Sequence, residues 1–149
     1  MNINDFNLQN EWKKGRLPII SGILYENGNV NWINIESKNR MRRIEHGSKL
    51  NLNTLMEENE FYLSEITILC RKEDISKRII VSCGEGGHGS EGFIVVEEND
   101  TKKIKWVAFF EESNPFEKIE VIDDVIYTYN NLGEKWAFEI NDPINVSIG

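Results

Sequence analysis

At 149 residues, 40% of them hydrophobic and 28% charged, the chain suits a single domain over 1–149, large enough to bury a core without disulfide support. No apolar run approaches the roughly 20 residues that span a bilayer, and the opening MNINDFNLQNEWKKG lacks the basic start and apolar core of a secretory signal, so a cytoplasmic protein without a membrane partner is expected. The formal net charge is -8, and the second part of the chain carries it: residues 1–84 hold 12 basic and 11 acidic side chains, residues 85–149 hold 5 and 14, a balance that repels nucleic-acid phosphates and attracts basic surfaces.

Taken in chain order, Phe6–Lys14 suits a short helix, with Asp5 as N-cap and Gly15 as its left-handed terminator. Leu17–Tyr25 and Val30–Glu36 read as strands around Glu26-Asn27-Gly28-Asn29, where Asn-Gly predicts a hairpin with a type I′ turn. Lys38-Asn39-Arg40-Met41-Arg42-Arg43 is the one basic cluster; without interleaved aromatics it suits a solvated loop or an edge strand better than a nucleic-acid contact. Leu52–Glu60 suits a second short helix, and Tyr62–Arg71 and Arg78–Cys83 two more strands.

The rest is the clearest part. Phe93–Glu98, Ile104–Phe110, Ile119–Ile122, Val125–Tyr129 and Trp136–Ile140 show β-branched and aromatic enrichment with period-two alternation. In the second of these, Ile104, Trp106, Ala108 and Phe110 share one face, and Lys105, Val107 and Phe109 the other. Trp106 and Trp136 follow the alternation of core-facing neighbours. Short turns, among them Asp123-Asp124, imply antiparallel neighbours, so these runs are expected to form a five-strand meander. The fold class is mainly β: an antiparallel meander forming a sandwich or strongly curled sheet, with one or two short helices.

A meander places successive turns at alternating ends. The turns at Asn99 and Asp123 should share one end, and the loop CGEGGHGSEG (83–92), the Ser113–Phe116 loop and the Asn130–Gly133 turn the other. With strands about 4.8 Å apart, alternate loops lie roughly 10 Å apart. That second end gathers Glu85, Glu91, Glu111, Glu112, Glu117 and Glu134, with His88 beside them and Phe116 as an exposed apolar anchor. Clustered carboxylates steer a basic partner and an aromatic side chain fixes it, so these eight residues are the expected partner-facing set.

Catalytic and cofactor motifs are incomplete. The glycine-rich loop lacks the Lys-Ser/Thr end of a P-loop, and a strand follows it where the dinucleotide fingerprint needs a helix. Cys83 and His88 could act as nucleophile and base, although Cys83 ends an apolar strand, the setting of an inert buried thiol. Cys70, Cys83, His46 and His88 lack the close spacing of a zinc site, and no EF-hand pattern appears. No catalytic, cofactor or metal residue is assigned. A small hydrolase using carboxylates or Cys83 and His88 is one alternative function, and a structural or regulatory binding domain another.

The segments HGSEGFIVVEEND, KIKWVAFFEESNPFEKIEV and NNLGEKWAFEI, within about residues 84–142, resemble small bacterial immunity proteins of polymorphic or contact-dependent toxin systems. The abundance of Asn, Ile and Lys agrees with an AT-rich bacterial genome. The resemblance implies a cytosolic, non-catalytic inhibitor, without a cofactor, that binds a toxin domain such as a basic nuclease and occludes its active site or substrate surface.

Overall fold

Residues 6–38, 41–58 and 62–149 are described in the structure, a computed structural model. Among these residues two short helices, α1 (Leu8–Lys13) and α2 (Leu52–Glu57), accompany thirteen strands. The strands are β1 (Arg16–Pro18), β2 (Gly22–Tyr25), β3 (Asn29–Lys38), β4 (Met41–Asn51), β5 (Leu63–Glu65), β6 (Thr67–Asp74) and β7 (Ile79–Glu85), then β8 (Gly92–Glu98), β9 (Ile104–Phe110), β10 (Phe116–Ile122), β11 (Val125–Asn130), β12 (Lys135–Glu139) and β13 (Ser147–Ile148). The protein is mainly β and antiparallel throughout: a seven-stranded sheet ordered β4-β3-β2-β9-β8-β7-β6, a four-stranded sheet β10-β11-β12-β13, and the small pair β1-β5.

The two larger sheets pack face to face. Ile33 and Ile35 of β3, Val81 and Cys83 of β7, Ile94 and Val96 of β8, and Trp106, Ala108 and Phe110 of β9 meet Phe116, Ile119, Ile126, Trp136 and Phe138 from the small sheet. The opposite face of the large sheet is covered too: Phe93, Val95, Val107 and Phe109 bury against Leu8 and Trp12 of α1, Leu17 of β1, and Leu52 and Leu55 of α2. Strands β8 and β9 are therefore buried on both sides, which explains their nearly unbroken apolar sequence.

Several expectations change in detail. The 93–140 meander is broken between β9 and β10. Asn114 adopts φ 65 and Pro115 has no N–H, so the ladder cannot continue, and the chain crosses to the second sheet. Leu17–Tyr25 is two strands in different sheets. Pro18 ends β1, and Gly22 opens β2 at φ 147 where a Cβ would overlap the Asn31 carbonyl. Tyr62–Arg71 likewise divides into β5 and β6. The Asn-Gly hairpin forms with positive φ at Gly28 and not at Asn27. Gly28 N–H donates to Tyr25 O at 3.0 Å, so a three-residue loop replaces the expected type I′ turn. Ile104 packs beneath the helices while Trp106 faces the small sheet, because the register slips between Val96–Trp106 and Glu97–Ile104. That bulge at Lys105 places residues two apart on opposite faces.

The helices keep their expected places. The N-cap of α1 is Asn7, whose side chain accepts from Asn10 N–H at 3.0 Å, while Asp5 lies outside the described residues. Gly15 turns the chain at φ 75. Residues 59 and 60, the expected end of the second helix, also lie outside them. So do Asn39 and Arg40 of the basic cluster; Met41, Arg42 and Arg43 open β4, an edge strand of the large sheet. No described helix is long and apolar enough to cross a membrane.

Candidate functional site: an acidic rim

Although the chain changes sheets, three of its loops do meet at one end. Asn114 N–H donates to Ser90 O at 2.8 Å, joining the β9–β10 loop to the glycine-rich loop. Asn114 Nδ2 donates to Asn131 Oδ1 at 3.1 Å, and Asn130 Nδ2 to Ser113 O at 2.9 Å, bringing in the β11–β12 turn. Gly92 belongs to this joint, for a Cβ there would overlap the Asn114 carbonyl. Arg42 clamps the β3–β4 hairpin onto the same end. Its Nε lies 3.0 Å from Glu134 Oε2 and its Nη1 donates to Glu112 O at 2.8 Å.

Glu111, Glu112 and Glu117 are exposed and Glu85 is half-buried; among the described residues none of the four makes a salt bridge. Glu111 and Glu112 border a small cleft of about 160 Å³ with Trp32 and Asn34. Glu117 lines a separate shallow groove with Lys118 and Tyr129. The imidazole of His88 is 79% exposed.

Three members of the expected partner-facing set do structural work. Phe116 is fully buried, with its ring edge-on to Trp136 at 5.2 Å; it is a core residue and not an exposed anchor. The reason is a bulge between Phe116 and Lys118 that turns Phe116 inward and leaves both Glu117 and Lys118 outside. Glu91 is 4% exposed. Its carboxylate folds back to accept from His88 N–H at 3.0 Å and faces His88 Nδ1 at 3.5 Å, so it holds the loop together. Glu134 is taken up by Arg42 and by Asn130 Nδ2, which donates at 2.6 Å. Sequence reasoning missed the exposed apolar groups of this end, Leu132 in the Asn130–Gly133 turn and Met41 beside Arg42, 60% and 72% exposed. A leucine within a polar turn was the available signal for the first.

Cys83 and His88 do not form a nucleophile–base pair. The Cys83 thiol is buried between the sheets and donates to Phe116 O at 3.3 Å, whereas His88 stands in solvent against Glu91. Burial, with a smaller contribution from Cys70, pushes the Cys83 thiol up to about 12, the opposite of what a thiolate nucleophile requires. Among the described residues no three His, Cys, Asp or Glu side chains converge as metal ligands. No protein-family model matches the chain, and no curated protein or solved structure is significantly similar to it.

Proposed function

We propose that the protein is a cytoplasmic, protein-binding inhibitor of the immunity class, which neutralises a basic toxin domain by laying its acidic rim over that domain's active site or substrate surface. The observation that carries this reading is the group Glu111, Glu112 and Glu117: exposed, without salt bridges among the described residues, and carried by the β9–β10 loop and the start of β10, where amide hydrogen bonds tie the neighbouring loops together. Carboxylates held in place without counter-ions raise the encounter rate with a cationic surface. Leu132 takes the part of apolar contact that Phe116 cannot play.

The test is a pull-down from the native cytosol with the product of the neighbouring gene present, followed by binding kinetics at low and high salt. Reversing Glu111, Glu112 and Glu117 to lysine should slow association at least about tenfold at low salt, with the difference fading as salt screens the charges. Equal binding of the reversed and native proteins at low salt would remove the rim from the interface.

A further inference from the structure

We propose that Cys70 and Cys83 form an oxidisable dithiol, a modification site that closes into a disulfide between β6 and β7 when a hydroperoxide reaches it. This inference is independent of the partner proposed for the rim. The two residues are directly opposed in the antiparallel ladder, and local sequence explains why. Gly84 lets β6 ride close over β7, since a Cβ there would overlap the Thr67 carbonyl. Over that glycine β6 gains one residue: Ile68 pairs with Gly84, Cys70 pairs with Cys83, and Leu69 is the bulge between them. Without the bulge, Cys70 would oppose Ser82 and point to the other face. With it, Cys70 packs against the same inter-sheet core that contains Cys83.

Opposed residues in such a ladder have Cα atoms about 4.5–5.5 Å apart, inside the roughly 4.4–6.8 Å that a disulfide spans. Access is divided between the two. Cys70 is half-buried on an edge strand, while Cys83 is fully buried. Cys70 is therefore the thiol that meets the oxidant. With hydrogen peroxide, its sulfur attacks one peroxide oxygen and the O–O bond breaks; the departing hydroxide takes the Cys70 proton, giving a sulfenic acid and one water. The buried Cys83 thiol keeps its proton at neutral pH and so closes the bond slowly: as its sulfur attacks the Cys70 sulfur its proton passes to the Cys70 hydroxyl, an S–S bond forms, the S–O bond breaks, and a second water leaves. Two thiols are oxidised and one hydroperoxide is reduced. The reaction consumes the S–H that Cys83 donates to Phe116 O, so it reaches the first residue of β10, next to rim residue Glu117.

The folded protein, treated with hydrogen peroxide, is acid-quenched, denatured, alkylated and weighed. Disulfide formation predicts a chain lighter by two hydrogen atoms, with neither cysteine alkylated, and recovery of both thiols after dithiothreitol. The Cys70→Ser variant, treated alike, should keep an alkylatable Cys83. Amide exchange along β6 should slow in the oxidised protein. Sulfinic acid at Cys70 beside an alkylated Cys83 would overturn the proposal. So would a purely intermolecular disulfide, or full alkylation of both cysteines at a peroxide excess that oxidises a cysteine-containing peptide.

Discussion

At the end formed by the β6–β7, β8–β9 and β10–β11 turns, Glu98 and Asp100 share a cleft with Lys77, Arg78 and Lys105, and Lys77 Nζ binds Asp124 Oδ1 at 2.8 Å. Charged side chains close these turns themselves. Asp74 accepts from Ser76 Oγ at 2.8 Å and Lys77 N–H at 2.9 Å, hydrogen bonds that hold its carboxyl below the ordinary value. Lys102 Nζ donates to Asn99 O at 2.7 Å. At the opposite end asparagines perform that service, with Asn114, Asn130 and Asn131 stitching the loops together, and Glu111, Glu112 and Glu117 are left facing solvent. One end uses its charges to build itself. The other joins its loops with amides, the Arg42–Glu134 pair and the folded-back Glu91, and still leaves Glu111, Glu112 and Glu117 outward without ion pairs among the described residues, which is why the rim is the better candidate for a partner.

The largest effect expected at the rim comes from its foundation. Phe116→Ala should cost about 3–5 kcal/mol, the range for removing a fully buried phenylalanine, read from the urea midpoint; a loss below about 1 kcal/mol would mean that Phe116 is not the support the packing indicates. Arg42→Ala should cost about 1.5–3 kcal/mol, since it removes charge-assisted hydrogen bonds to Glu134 and to the Glu112 carbonyl, and proton chemical shifts at Asn130 and Leu132 should move with it.

The thiol beneath the rim titrates in a defined window. The folded Cys83 thiol lies at about 12 against an ordinary 9.0. Below pH 9 both states keep the proton. Between 9 and 12 the unfolded chain loses it while the folded chain retains it, so stability falls as pH rises, by about 1.4 kcal/mol per unit. The difference in alkaline slope between native protein and Cys83→Ser isolates this proton, because the other titrating groups are common to both. The smallest effect sharpens the contrast of the ends directly. Glu111→Lys with Glu112→Lys should leave stability within about 0.5 kcal/mol, as for ordinary surface substitutions, and Lys77→Ala, which breaks a solvent-exposed ion pair with Asp124, should shift the unfolding midpoint only slightly. Loss of partner binding in the first variant and its retention in the second would assign recognition to one end.

The local alphabet of the chain was enough to locate most strands, both short helices and the glycine turns at Gly15 and Gly28, because these depend on periodicity and on which residues tolerate positive φ. It also carried the meeting of three loops at one end, since antiparallel connectivity alternates turns between ends. It could not supply the inward or outward sense of Cys70, Ile104 and Phe116. Each lies at or beside a bulge, at Leu69, Lys105 or Glu117, where one extra residue slips the register. Side chains alternate with a period of two, so a single slip exchanges core for solvent. The burial of Glu91 beneath its own loop and the capture of Glu134 by Arg42, 92 positions away in the chain, are likewise decided by which strands come to lie side by side. Composition and alternation determined that this chain makes β-sheets with an acidic surplus; only the pairing of strands decided which carboxylates remain in water, because a side chain's face depends on the partner strand's register, and no stretch of sequence contains its partner.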